Sequence, residues 1–362
     1  MDTRIIANNL KIYRNDKGYT QAGMAAAAGV SLSMIKKIEG GQCPEESRVL
    51  LAITKALGIT LSDLFLPLQI PERVYFRSQK KMKEPLVLLD KISKWLQNYE
   101  TIESIQNSFV EWSLNGIPYN GDPEKLAMDV RERLEIAPHE PILDICGLLD
   151  SIGVKLYFGE SFSEGFFGLC LLDKNDAPVI VVNTGNQIST ERKIFSAAHE
   201  LGHILMHFHG FRKFDVKMPA SENEDNEADK FASYFLMPSD VFIRKWNEAG
   251  GYDFYNRVMC VKQYFQVSYK TIIKRLAILN SHYTEKEMYI IICNECKKRG
   301  QSLRKNIEPS PMKKYVFIEK RFRKLVFDAL IQGNITVSRA AEMLGIPIAE
   351  ILNIAQGRAE VL

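Results

Sequence analysis

The sequence has no apolar run of the roughly 18 residues that a membrane-spanning helix requires. Its first residues, MDTRIIANNLKIYRNDKG, are charged and amphipathic, and they lack the apolar centre of a secretory signal. We therefore expect a cytoplasmic protein that does not associate with a membrane.

Cysteine is scarce, with six residues in 362. Only Cys293 and Cys296 have the C-x-x-C spacing of a metal or redox pair, and a zinc ribbon would need a second such pair. We interpret this pair as a surface dithiol. The other four lie apart, as thiols of a reducing compartment do: Cys43, Cys146, Cys170 and Cys260.

Charge of one sign is not in large excess, because 47 basic and 44 acidic residues give a net charge of +3. That value alone implies no partner. Basic residues do cluster in segments 71–83 and 297–325. We interpret both clusters as solvated surfaces, and nucleic-acid contact is the less favoured alternative.

The first seventy residues have the pattern of five short helices. Apolar residues recur at helical spacing in 5–13, Thr20 and Ser31 are placed to cap the next two helices, and Gly29 suits a left-handed turn between them. Two further helices follow in VLLAITKALGI and LSDLF. The second and third helices therefore form a helix-turn-helix.

The third of these helices has an outward polar face that could read DNA. Ser31 and Ser33 are short enough to approach base edges, while lysines can hold phosphates. Gln21, at the start of the second helix, could donate to a phosphate or read an adenine. The candidate DNA contacts are Gln21, Ser31, Ser33, Lys36 and Lys37. The alternative is a small helical bundle that contacts proteins.

The stretch YTQAGMAAAAGVSLSMIKKIEGGQCP followed by LLAITKALGITLSDLF resembles the Cro/CI-type (XRE) repressor domain. The resemblance covers residues 4–66. It implies sequence-specific binding in the major groove of a double-stranded DNA operator, as a homodimer.

A second motif, His199-Glu200-Leu201-Gly202-His203, lies in a helical stretch that Ser189 can cap. His199 and His203 are four residues apart, so both rings project from one helix face and can reach a single zinc ion. Glu200 lies about 100° around the axis, where it can act as a general base towards water at the ion. Gly202 leaves room for a neighbouring strand or a substrate. In this composition a chance HExxH occurs in about one chain in a hundred.

A third zinc ligand is expected in the acidic start of SENEDNEADKFASYFLMP, residues 221–238. Glu227 is the candidate because it precedes Phe231 by four residues on the apolar side of that helix. Glu224 and Asp229 are competitors. A solvated acidic helix start is the alternative, since acidic side chains favour helix N-termini.

ERKIFSAAHELGHILMH and NEADKFASYFLMP are together similar to the ImmA/IrrE family of zinc metallopeptidases, over about residues 125–280. The resemblance implies a zincin-like domain with His199, His203 and Glu227 as zinc ligands and Glu200 as the catalytic base. His207 also fits the pattern, and we interpret it as structural or outer-sphere. Strands are expected near 154–158, 166–172 and 178–183, with an edge strand that supports an extended substrate.

The predicted fold is therefore mainly α with a small β-sheet (α+β). The expected domains are a helix-turn-helix domain at 1–68, a helical linker or dimerisation region at 69–124, the peptidase domain at 125–280 and a helical region at 281–362. Residues 84–112 have helical periodicity, and 336–356 have the look of a second helix-turn-helix.

The sequence predicts a DNA-binding regulator with a zinc peptidase domain, acting at a stress, mobile-element or toxin–antitoxin locus by cleaving a repressor. The protein substrate could include the chain itself, through its linker at 67–83. The alternative is a regulator or antitoxin without proteolysis, whose zinc domain senses a signal or binds a partner such as a toxin.

Overall fold

A computed structural model of the chain describes the following residues: 3–42, 46–68, 73–75, 85–160, 166–207, 222–279, 284–301, 308–313, 317–355 and 357. The chain divides into two compact units, one of residues 1–71 and 81–98 and the other of residues 72–80 and 99–362. Among the described residues, no helix is long and apolar enough to cross a membrane.

The first unit begins with five helices, as expected. Thr20 and Ser31 cap the second and third helices by accepting from Gly23 and Met34 backbone N–H groups, and Gly29 has φ 66° in the turn between them. Apolar side chains from all five helices form one core. The helices are α1 (Thr3–Asp16), α2 (Gln21–Ala28), α3 (Leu32–Glu39), α4 (Ser47–Leu57) and α5 (Leu61–Phe65).

Helix α6 (Pro85–Gln106) begins in the first unit and ends in the second. In the first unit, Asp90 accepts a hydrogen bond from the Tyr13 hydroxyl (3.1 Å) and pairs with Lys94 (2.7 Å). The helical periodicity of 84–112 extends beyond the helix, which ends at Gln106 because Asn107 has a left-handed φ of 47°. The dimerisation role of this region stays a prediction.

Among the described residues, the second unit contains four strands, β1 (Arg73–Tyr75), β2 (Lys155–Gly159), β3 (Gly168–Leu172) and β4 (Pro178–Asn183). They form one sheet in the order β1-β3-β4-β2. Strands β2 and β4 are parallel, whereas β3 pairs antiparallel with both β4 and β1. Three strands match the expected ones, and the three-residue β1 was missed because so short a segment has no detectable alternation.

In the second unit, the motif helix α9 (Thr190–Met206) packs against β3, β4 and α10 (Glu222–Leu236). Gly202 allows α9 and α10 to approach closely, because a Cβ at that position would lie 2.9 Å from the Phe231 ring and 3.4 Å from the Ala228 Cα. The space expected beside Gly202 is therefore filled by a helix. The other helices up to residue 279 are α7 (Pro123–Arg133), α8 (Ile145–Ser151), α11 (Ser239–Glu248), α12 (Phe254–Phe265) and α13 (Tyr269–Leu279).

The C-terminal region is helical, which confirms the expected fold class. Helices α16 (Val337–Leu344) and α17 (Ile348–Ala355) flank Gly345, whose φ of 64° permits a tight turn, so this pair has the local form suggested by the sequence. Its function stays a prediction, and residues 302–307 and 314–316 of the basic 297–325 segment lie outside the described residues. The two helices before this pair are α14 (Glu285–Lys298) and α15 (Arg321–Ile331).

A buried ion pair fixes the start of α9 to the rest of the unit. The ammonium of Lys262 lies 2.7 Å from Glu191 Oε1, and both side chains are 0% exposed. The ammonium also donates to the carbonyls of Pro309 (3.1 Å) and Ser310 (3.0 Å), and Glu308 lies 3.4 Å away. Burial raises the pKa of the Glu308 carboxyl, although the charge of Lys262 opposes that rise.

Replacing Lys262 with Met should lower the free energy of unfolding by about 3–5 kcal/mol, because Glu191 would stay buried without its cation. Lys298→Met is the control, since Lys298 pairs with Glu295 at the surface with its side chain 75% exposed. That change should matter by less than about 1 kcal/mol. Urea denaturation of both variants measures the difference, and equal losses would contradict the role of the buried pair.

Candidate metal centre

The motif residues lie on α9, whose start is fixed by the Ser189 side chain accepting from the Arg192 N–H at 3.3 Å. His199, Glu200 and His203 are all fully buried. Polar groups are costly to bury unless they bind partners. Three such side chains buried on one helix are therefore candidates for a shared functional site rather than for ordinary core positions.

Two histidines and one carboxylate converge at one point. The Nε2 atoms of His199 and His203 are 2.9 Å apart, and Asp225 Oδ1 lies 3.3 Å from His203 Nε2 and 4.0 Å from His199 Nε2. Their ligand atoms all lie within 4.8 Å of one another. Two imidazole nitrogens and one carboxylate oxygen form a donor set that fits catalytic zinc, in which a fourth position takes water or substrate.

The third residue of the cluster in the structure is not the one that the sequence predicted as the third ligand. Glu227 lies outside the His–His–Asp cluster, and its Oε2 is instead 3.0 Å from His207 Nε2. Asp225 precedes Ala228 by three residues, and Ala228 is the α10 residue that packs beside Gly202 of α9. Helical spacing counted from this small residue, rather than from Phe231, indicates Asp225 as the candidate third ligand.

The two competitors are also placed outside the cluster. Asp229 lies behind it, with Oδ1 2.8 Å from His199 Nδ1, and Glu224 is not among the clustered ligand atoms. Assignment of Asp225 as a metal ligand is a prediction, as the assignment of Glu227 was.

Outer contacts orient both histidine rings. Asp229 can hold the proton on His199 Nδ1, which directs Nε2 of that ring towards the cluster. His203 Nδ1 is 3.0 Å from His207 Nδ1, and His207 in turn contacts Glu227. His207 therefore has the outer position that the sequence suggested, and Glu227 is the carboxylate at the end of this chain of contacts.

Tyr119 lies near the same set of contacts. Burial, together with the negative charge of Glu227, raises the pKa of Tyr119 to about 12. The phenol is therefore neutral over the physiological pH range.

Glu200 lies beside the sheet rather than beside α10. A Cβ at Gly168, the first residue of β3, would lie 2.9 Å from Glu200 Oε1 and 2.9 Å from the Val181 carbonyl oxygen. Only glycine gives the Glu200 carboxylate this space. The helix thus directs its histidines towards Asp225 and its glutamate towards the start of β3.

An open cleft of about 1050 Å³ adjoins the cluster and includes Glu227 and Asp229 in its wall. The wall is formed by the start of α9, by α10 and by the first turns of α13. Its basic side chains are Arg192, Lys230, Lys270, Lys274 and Arg275.

The candidate DNA contacts in the first unit do not all face outward. The amide nitrogen of Gln21 donates to Glu39 at 2.7 Å, and Glu39 also pairs with Arg14, so this side of Gln21 is engaged within the unit. Ser31 uses its hydroxyl to accept from the Met34 N–H at 3.1 Å. Ser33, Lys36 and Lys37 are exposed on α3. All five DNA contacts stay predictions.

Comparison with protein-family models agrees with both resemblances. Residues 5–64 match a helix-turn-helix domain model, and residues 160–277 match the peptidase M78 model, described as the IrrE N-terminal-like domain. No curated protein matches the chain. The fusion of the two domains that the motifs indicated is confirmed.

Replacing Asp225 with Asn should lower zinc affinity by more than the roughly 10–100-fold range typical of outer contacts. Glu227→Gln should stay within that range, because Glu227 contacts His207 rather than the cluster. Competition with a chromophoric zinc chelator measures both affinities. The reverse ranking would make Glu227 the ligand.

Proposed function

We propose that this chain, which carries a helix-turn-helix domain and an IrrE N-terminal-like peptidase domain, is a DNA-binding regulator that hydrolyses a peptide bond in a protein controlling transcription. A repressor at a stress, mobile-element or toxin–antitoxin locus is the proposed substrate. The observation that carries this proposal is the cluster of buried His199 and His203 with the partly exposed Asp225, together with the buried Glu200 that follows His199 on α9. A site that held zinc only for structure would not need that glutamate.

In the proposed mechanism, His199, His203 and Asp225 hold the ion. Zinc in such a site polarises a substrate carbonyl and lowers the pKa of water. Glu200 accepts the proton from the attacking water and passes it to the departing amine nitrogen. Asp229 supports this by fixing the tautomer of His199, and the packing of α9 against β3 and β4 keeps bulk water from the buried Glu200 carboxylate.

In the first unit, α3 is the proposed recognition helix. Its exposed start could reach base edges in the major groove, while Lys36 and Lys37 neutralise phosphates. Ser33 supports this because it is exposed in the first turn of α3, and Ser31 supports it less because its hydroxyl already caps the helix. The operator-bound form would be a homodimer.

Glu200→Gln should retain metal and DNA binding but lose peptide-bond hydrolysis by at least about 100-fold, since the proton acceptor is removed. Glu132→Gln, on the exposed side of α7, is the matched control and should behave as the unsubstituted chain. Zinc content, operator occupancy and the sizes of this chain and of co-purifying repressors on blots would be followed in the native host.

If Glu200→Gln and the unsubstituted chain gave the same transcriptional response and the same blots, the peptidase proposal would fail. The domain would then act as a sensor or as a binding module for a partner such as a toxin.

Replacing Lys36 and Lys37 with Ala should weaken binding to random-sequence duplex DNA and reduce the salt dependence of the binding constant by about one phosphate contact per lysine. Lys55→Ala, on the exposed side of α4, is the control. Fluorescence anisotropy over a range of salt concentrations measures the slope. An unchanged slope in the double variant would show that α3 does not face the DNA backbone.

A further inference from the structure

The short strand β1 comes from the segment that follows the helix-turn-helix domain, yet it forms part of the sheet in the second unit. It pairs antiparallel with β3, with Arg73 opposite Leu172, Val74 opposite Leu171 and Tyr75 opposite Cys170. The sheet order puts β1 at one edge and β3 next to it. Without β1, β3 would itself be the edge strand.

Strand β3 is also the strand that adjoins the proposed catalytic base. Its first residue, Gly168, lies so close to Glu200 that an added Cβ would be 2.9 Å from the carboxylate. Backbone groups along an unpaired sheet edge bind extended peptides by adding a strand. A peptide bound along β3 would therefore be carried past Glu200.

The chain direction of β1 is the one in which a peptide paired with β3 would run towards Glu200. Because the pairing is antiparallel, β1 advances along β3 from Leu172 towards Cys170. Gly168 is two residues further along β3 in the same direction. The chain's own segment thus occupies the edge on the approach to the proposed base.

The resemblance implied an edge strand that supports an extended substrate, and β3 would be that strand. We propose that β1 is the built-in occupant of the β3 edge, so that a peptide substrate must displace β1. This inference rests on the proposed function and adds to it a specific competitor for the substrate. Under this proposal, the segment after the helix-turn-helix domain controls whether a peptide can bind to the peptidase domain.

The length of β1 makes such displacement feasible. Three residues form only a short ladder, below the usual length of about five to six residues for strands in globular proteins. Its attachment to the chain compensates, because a tethered segment acts at an effective concentration in the millimolar range. A free peptide that pairs over more residues can compete with such an occupant.

The test uses the full chain with Glu200→Gln, loaded with zinc, so that bound peptide is not consumed. Into this background are placed R73P/V74P and, as the matched control, R73A/V74A. In a β-ladder, neighbouring residues direct their N–H groups to opposite sides of the strand. Prolines at both positions therefore remove one N–H group that faces β3. Alanines keep both N–H groups.

The probe is a fluorescein-labelled peptide with the sequence PERVYFRSQK, residues 71–80 of this chain, followed by anisotropy. The expected result is at least about tenfold tighter binding by the proline variant than by the alanine variant, because the tethered competitor is removed. Equal affinities in two variants that keep their zinc content and circular dichroism would overturn the proposal.

A second measurement needs no substitution in β1. In the Glu200→Gln chain, saturating peptide should speed hydrogen exchange at the Arg73 and Tyr75 amides, which face their partners Leu172 and Cys170, while Leu172 and Cys170 stay protected. Unchanged exchange in β1 at saturation would overturn the proposal even if the proline variant failed to fold. Both readouts report binding alone, so a failure of hydrolysis, tested separately by the blots, would not be confused with a failure of this inference.

Discussion

The close packing of α9 against α10 at Gly202 is the constraint on which the candidate site depends. A methyl group at that position would clash with the Phe231 ring, from which it would lie only 2.9 Å away. Glycine inside a helix costs about 1 kcal/mol relative to alanine, and here the cost gives two helices a short separation. That separation brings Asp225 within 3.3 Å of His203. Without it, the histidines of one helix would lack the carboxylate of the other.

The same helix is held at its start by charge rather than by apolar packing. Lys262 satisfies Glu191 and two carbonyl groups in a region without solvent. A buried ion pair contributes little net stability, but it is very sensitive to loss of one partner, and so it favours one arrangement over others. The position of α9 in the unit is therefore specified at both its first turn and its middle.

The proposed catalytic base and the proposed peptide-binding edge both lie at β3 in the sheet of the second unit. Gly168 gives Glu200 its space at one end of β3, and β1 pairs with the other end of the same strand. The edge that would bind a substrate is thus already paired by a segment from the linker side of the chain. A peptidase arranged in this way would respond to the length and pairing strength of its substrate as well as to its sequence.

The sequence by itself determined the features that arise from local patterns. The caps at Thr20 and Ser31, and the pairing of His199 with His203 on one helix face, follow from short-range geometry that does not depend on the rest of the fold. The resemblance carried by the sequence motifs likewise predicted three of the four strands found among the described residues.

Only the tertiary structure decided which groups meet. It places Asp225, rather than Glu227, beside the histidines because the α10 face that contacts α9 is set by Ala228 and Gly202. It turns Gln21 towards Glu39, and it adds β1 to the sheet. These outcomes depend on packing between segments distant in sequence, which periodicity within one segment does not encode.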